Sequence, residues 1–181
     1  DWVNPFERVD THGVSTESYY KAQRKDYQWI SGVGTLVTKP SMQCNINTLK
    51  VLIYTGARIS EVINGAYEYQ CLVIKKGKNR ASVRRVPLPD SLAEIKLQDI
   101  ATSADSFRRW FNKHRPKEEI TPHSYRHGFR IAARVAKADE LTVERLLGHT
   151  IPKMLLVCGD YPMDVLQREA IKVQVVIQAW I

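Results

Sequence analysis

Apolar residues recur at helical spacing through the middle of the chain. Between residues 46 and 63 they follow a period of about 3.6, and the pattern is broken at Thr55-Gly56. Two short helices that meet at this break are therefore predicted. Upstream, residues 15–30 are predicted to form a helix with tyrosines along one edge, and residues 31–34 a turn, because Gly32 and Gly34 interrupt the pattern.

A small β element is predicted downstream. The apolar run Cys71–Ile74 is followed by the basic, glycine-containing stretch KKGKNRAS and then by VRRVPLP. This order is typical of a β-hairpin whose second strand ends at proline. Helices are predicted at residues 91–100 and 105–114.

The last third of the chain carries the clearest helix signals. Thr121 is a favourable N-cap and Pro122 suits the first helical position, so a helix is predicted from there to about residue 136. Another helix is predicted at residues 142–147, ending at Gly148, and a final one at residues 163–180. The fold class predicted is α+β, mainly α with a small antiparallel β-sheet.

The length of 181 residues fits one domain. Residues 1–15 contain two breakers and are predicted to be a linker or arm, which leaves residues 16–181 as the domain. No apolar run is long enough for a membrane span, and the start, which lacks a methionine, indicates a piece of a longer protein rather than a signal peptide.

Charge and cysteine content narrow the partners and the compartment. Lys and Arg total 27 against 19 acidic residues, a net charge of +8, so a polyanion such as DNA is a natural partner. The three cysteines, Cys44, Cys71 and Cys158, lie far apart in sequence. They predict neither a disulfide framework nor a zinc cluster, and they favour a reducing, cytoplasmic setting.

Several cations stand where an anion would bind. His123 and Arg126 lie three residues apart at a helix N-terminus, where backbone N–H groups favour a phosphate, and Arg130 extends the same face. Arg58 sits in the corner after Thr55-Gly56, with Glu61 as a possible orienting partner. Each feature taken alone is also typical of an ordinary basic surface or a structural ion pair.

Four ordered motifs resemble the tyrosine recombinase and phage integrase family. They are TGARISE, a basic hairpin ending in VPLP, TPHSYRHGF and LLGH, and the resemblance spans about residues 45–170. It implies a helical catalytic domain that clamps one side of duplex DNA, without metal or nucleotide cofactor. Four protomers usually cooperate on the DNA, and an accessory DNA-bending protein is compatible with this. Because the resemblance begins only at about residue 45, we expect this chain to lack the family's N-terminal DNA-binding domain.

The resemblance also implies a role for each cation. Arg58 and Arg126 look like the paired guanidiniums that bind the phosphate, with His149 as a third donor. His123 looks like the general base or an orienting histidine. Lys76 looks like the general acid that protonates the leaving 5′ oxygen.

The basic hairpin leaves the general acid open, because Lys75 and Lys78 are close alternatives to Lys76. Together with Arg80 and Arg130, these two lysines are also candidate DNA-backbone contacts. Glu61 is expected to orient Arg58 without contacting the DNA itself.

The expected nucleophile is missing from its usual place. The family's tyrosine commonly lies about nine residues after the histidine of the LLGH motif, and here Cys158 stands nine residues after His149. Either Tyr161 is the nucleophile, although Pro162 directly after it disfavours helical backbone, or Cys158 occupies the nucleophile position. The second interpretation is favoured, and because a thiol does not reach as far as a phenol, it implies a disarmed enzyme.

The leading hypothesis is a site-specific recombinase that integrates or excises a mobile element through a covalent 3′-phosphotyrosine type of intermediate. One alternative is a silenced paralogue that binds DNA without cutting it, and another is a type IB topoisomerase-like enzyme. In the family, C-terminal segments are exchanged between protomers. Residues 171–181 are apolar enough for such a segment, and equally for an ordinary core helix.

Overall fold

A computed structural model describes residues 21–34, 39–77, 80–151 and 162–181. This part of the chain is mainly helical and carries a three-stranded antiparallel sheet, which confirms the predicted α+β class. The α-helices are α1 (Trp29–Gly34), α2 (Pro40–Thr55), α3 (Ile59–Asn64), α4 (Ala104–His114), α5 (Pro122–Val135), α6 (Glu140–Leu147) and α7 (Met163–Gln178). The strands are β1 (Ala66–Glu68), β2 (Cys71–Ile74) and β3 (Arg84–Pro87), in the order β1-β2-β3.

The helix ends follow the local signals in the sequence. The predicted break between α2 and α3 is confirmed, with Gly56 in the left-handed conformation at φ 61°. A Cβ at this glycine would lie 2.7 Å from Leu147 Cδ2 and 2.9 Å from Phe129 Cγ, so only glycine fits. Thr121 caps α5 as predicted, and Gly148 ends α6 at φ 72°.

Two predicted local structures are wrong where long-range contacts determine the backbone. Residues 91–100 form two short 3-10 turns, Asp90–Leu92 and Leu97–Asp99, and the Ala101 N–H is held by the Thr48 hydroxyl at 2.9 Å. Within residues 21–30, a 3-10 turn precedes α1, and α1 then runs through the predicted turn at residues 31–34. Distant residues hold that earlier turn: the Tyr125 hydroxyl donates to the Asp26 carbonyl at 3.0 Å, and Lys117 Nζ donates to the buried Asp26 carboxylate at 3.1 Å.

The core lies between α2, α5 and α7. Leu49, Ile53 and Phe129 are fully buried there. On α7, Val173 and Ile177 are also buried against this chain's own core, which matches the core-helix alternative for residues 171–181. The other alternative, exchange between protomers, stays a prediction. No helix among the described residues combines the length and the apolar character that a bilayer crossing requires.

The predicted hairpin is confirmed as β2 and β3, in which Cys71 pairs with Pro87 and Ile74 with Arg84. The additional strand β1 was not predicted, because its three half-buried residues show no apolar alternation. Tyr69 and Gln70 join β1 to β2, both with positive φ (51° and 57°). A two-residue hairpin turn with two positive φ angles normally carries Asn-Gly, so this one is strained.

Replacing this turn should therefore stabilise the protein. The double substitution Tyr69→Asn, Gln70→Gly should raise the free energy of unfolding by about 1 kcal/mol, because both new residues tolerate left-handed backbone. Little packing is lost, since Tyr69 is 87% exposed. Urea unfolding measures the effect, with Tyr69→Asn alone expected to give part of the gain. A double variant no more stable than the parent would contradict the assignment of strain.

Candidate functional site

Arg126 lies at the centre of the candidate site and is buried. Its Nη1 donates to the Gly56 carbonyl at 2.7 Å, and its Nη2 donates to the Leu147 carbonyl and lies 2.8 Å from His149 Nε2. A guanidinium has five N–H groups, so these contacts leave donors for a further acceptor. Burial, and then the charge of Arg58, lowers the pKa of Arg126 to about 9, which leaves it charged at neutral pH.

His149 follows the α6 C-terminus, where Glu144 and Arg126 hold its ring from both sides. Nδ1 pairs with Glu144 Oε2, while Nε2 faces the Arg126 guanidinium. This arrangement fits a neutral ring that donates from Nδ1 and accepts at Nε2. Burial and the charge of Arg126 outweigh Glu144 and lower the pKa of His149. Arg130 donates to the other oxygen of Glu144 and completes the cluster.

Arg58 reaches the site from the start of α3. Its backbone N–H and its Nη1 both donate to Glu61, at 2.8 and 3.0 Å, so the predicted Arg58–Glu61 pairing is present. The Arg58 side chain remains 41% exposed. It therefore keeps a surface on which a ligand can bind.

Glu61 has a second and more deeply buried partner, Arg84 of β3. The two side chains form a two-pronged pair, Nη1 to Oε1 at 3.1 Å and Nη2 to Oε2 at 3.0 Å. Burial tends to raise the pKa of Glu61, but Arg84 and Arg58 together hold it below its usual range. Glu61 is thus ionised and neutralised by two arginines.

Arg84 also supports the turn that carries His149. Its Nε donates to the Leu146 carbonyl at 2.7 Å. A Cβ on Gly148 would lie 2.6 Å from the Arg84 Cζ, so the backbone rests directly on the guanidinium. The hairpin, α3 and the Leu-Gly-His turn therefore meet at one side chain.

His123 lies on the exposed start of α5, with its ring 4.8 Å from that of His127 in an edge-to-face arrangement. Although part of the side chain is exposed, partial desolvation lowers the pKa of His123, and His127, Arg126 and Arg58 act in the same direction. The ring is therefore neutral at neutral pH, as a proton acceptor must be. Arg58 and His123 also line the same cavity, so the two side chains lie near each other.

The hairpin lysines are not brought to this cluster in the described structure. Lys75 Nζ pairs with Glu68 at 3.0 Å, and Lys76 is exposed next to it. Lys78 lies outside the described residues. Arg80 begins a 3-10 turn, and its side chain is not described. Cys158 and Tyr161 also lie outside the described residues, so both nucleophile alternatives stay predictions.

Three side chains of the cluster were missed by sequence reasoning. Arg84 carries a usable signal, because it stands two residues before the buried Val86 and so faces the core side of β3. His127 follows His123 by one helical turn. Glu144 lies on α6 itself, and the left-handed Gly148 turns the chain back so that the His149 N–H donates to the Glu144 carbonyl at 3.0 Å, a helix end that the glycine signals in the sequence.

Neither the protein-family models nor the curated proteins compared with this chain contain a match. The family resemblance therefore stays a prediction that rests on the four sequence motifs.

Removing Arg84 should strongly destabilise the fold. Arg84→Met leaves the Glu61 carboxylate buried without its main partner, and the free energy of unfolding should fall by about 3–5 kcal/mol. The double variant Glu61→Gln, Arg84→Met should recover part of this loss because no buried charge remains. Arg85→Met, on the exposed face of the same strand, is the matched control. Urea unfolding in which Arg84→Met and Arg85→Met behave alike would contradict this role.

Proposed function

We propose that this chain is the DNA-breaking and rejoining domain of a tyrosine-type site-specific recombinase. The observation that carries the proposal is that residues of three separate motifs act on one another: His149 Nε2 lies 2.8 Å from the buried Arg126 guanidinium, and the charge of Arg58 acts on that guanidinium. Phosphodiester transfer develops negative charge on the non-bridging oxygens. Preorganised cations and N–H donors are the groups that stabilise such charge.

Each residue takes a definite part in the proposed reaction. Arg58 and Arg126 bind the non-bridging oxygens, and guanidiniums suit this task because they present paired donors. His149 becomes a third donor once the phosphate charge favours its protonation, since its Nε2 then carries a hydrogen. Glu144 fixes the ring orientation that this requires.

The chemical steps conserve the phosphodiester bond energy. The nucleophile oxygen forms a bond to phosphorus while the bond from phosphorus to the 5′ oxygen breaks. His123 accepts the proton of the nucleophile or orients the nucleophile. Lys76 supplies a proton to the leaving 5′ oxygen, and it reaches that oxygen from the hairpin when DNA is bound. Attack by another 5′ hydroxyl reverses the steps and joins a new strand.

A second candidate function is DNA binding without cleavage, and Cys158 at the expected nucleophile position favours it. The phosphate-binding groups would then hold intact DNA. The two candidates share a site and differ only in whether a covalent intermediate forms.

A nicked suicide duplex tests the proposal. A pool of such duplexes with random sequence around the nick is incubated with this chain, Cys158→Tyr and Tyr161→Phe, and adducts are separated by denaturing electrophoresis. We expect Cys158→Tyr to form the adduct, which shows a recombinase site. A parent chain that forms none has this site without its nucleophile and so fits the second candidate function. An adduct with the parent chain that Tyr161→Phe loses would instead assign the nucleophile to Tyr161.

The adduct must also depend on the cation cluster. In the adduct-forming background, Arg58→Gln should lower adduct formation by at least about 100-fold while leaving the fold intact, since one preorganised donor contributes on that order. Arg134→Gln, an exposed arginine farther along α5, is the matched control. Failure of every version to form an adduct would contradict strand cleavage. Adduct formation unaffected by Arg58→Gln would remove Arg58 from the site.

A further inference from the structure

A cavity of about 350 Å³ lies beside the candidate site, where the starts of α3 and α5 meet the middle of α4. Its lining includes Arg58, Ser60, Arg108, Thr121 and His123. These side chains are two guanidiniums, an imidazole and two hydroxyls. No carboxylate is among the described residues that line it, so the cavity suits an anion with several oxygens.

Arg108 is the charged side chain of this cavity that has no role in the proposed reaction. It lies on α4, which is fixed in the fold by the fully buried Phe107 and Phe111. Its Nη1 pairs with Asp105 at 2.8 Å, and both side chains are well exposed (51% and 84%). An exposed pair of this kind contributes little free energy, so the guanidinium is readily transferred to a stronger anion.

Arg58 connects this cavity to the proposed cleavage site. It lines the cavity, and its charge acts on both Arg126 and His123. A DNA strand carries one phosphate for about every 3.4 Å of helix axis. A strand anchored at Arg126 therefore brings further phosphates to the cavity next to it.

We propose that this cavity binds a second DNA phosphate, adjacent to the one that is cleaved, and that Arg108 is its main ligand. The inference rests on the proposed function, because it concerns the same DNA strand. Arg108 then positions the strand, while Arg58, Arg126 and His149 act on the reacting phosphate.

The salt dependence of DNA binding measures this contact. Binding of a fluorescent duplex of random sequence is followed by anisotropy at several salt concentrations, for the parent chain, Arg108→Gln and Arg109→Gln. Arg109 is the matched control because it is an exposed arginine on the same helix that does not line the cavity. Circular dichroism and the melting temperature verify that each variant is folded.

We expect Arg108→Gln to reduce the slope of log K against log salt by about 0.9, the value for one phosphate contact, and to weaken binding about tenfold at 0.1 M salt. Arg109→Gln should keep the parent slope. In the adduct-forming background, Arg108→Gln should raise the DNA concentration for half-maximal adduct and leave the maximal rate unchanged.

Two results would overturn the inference alone: a parent slope retained by Arg108→Gln, or equal reductions in Arg108→Gln and Arg109→Gln. Both leave the proposed function standing, provided that the parent chain binds DNA with a steep salt dependence. Binding by the parent chain that does not change with salt would overturn the inference and the proposed function together.

Discussion

The arrangement of the site depends on one buried cation, Arg126, placed where two helices end. The last carbonyls of a helix have no partner within it, and this end of the helix carries partial negative charge. Arg126 donates to Gly56 at the end of α2 and to Leu147 at the end of α6. These two contacts compensate the cost of burying its charge and hold both helix ends at a fixed separation.

This constraint explains the glycines on either side of Arg126. Gly56 must be in the left-handed conformation and has no room for a Cβ, because Phe129 and Leu147 pack against it. Gly148 is equally confined, by Arg84. Arg84 pairs with Glu61 of α3 and donates to the Leu146 carbonyl, and so joins β3 to α3 and to the turn that carries His149. The groups proposed to bind phosphate are thus oriented before any ligand arrives, as electrostatic stabilisation of a transition state requires.

The sequence predicted those features that depend on neighbouring residues. The break at Gly56, the Thr121-Pro122 start of α5 and the stop at Gly148 are each determined by a cap or a left-handed residue, and all three are confirmed. The helix predicted at residues 91–100 was wrong: the end of this segment is held by residues distant in sequence, with Asn47 donating to the Asp99 carbonyl and the Thr48 hydroxyl accepting the Ala101 N–H. A local pattern contains no information about such a contact.

The difference between contacts of sequence neighbours and contacts of distant residues also decides which parts of the site were predictable. The Arg58–Glu61 pair was predictable because its members lie three residues apart on one helix start. The Arg84–Glu61 pair joins residues 23 positions apart and depends on the register of β3. Lys76 differs again, since the described fold leaves it exposed on the hairpin, and its proposed role requires bound DNA to bring it to the phosphate.

In the proposed reaction, Arg58, Arg126 and His149 bind a single phosphate. A crystal of this chain soaked in tungstate, a phosphate-like anion with strong anomalous scattering, tests it directly. We expect an anomalous peak within hydrogen-bonding distance of the Arg58 and Arg126 guanidiniums and of His149 Nε2. Tungstate bound elsewhere, with Arg126 still contacting only Gly56, Leu147 and His149, would rule out this shared site and leave Arg126 a purely structural cation.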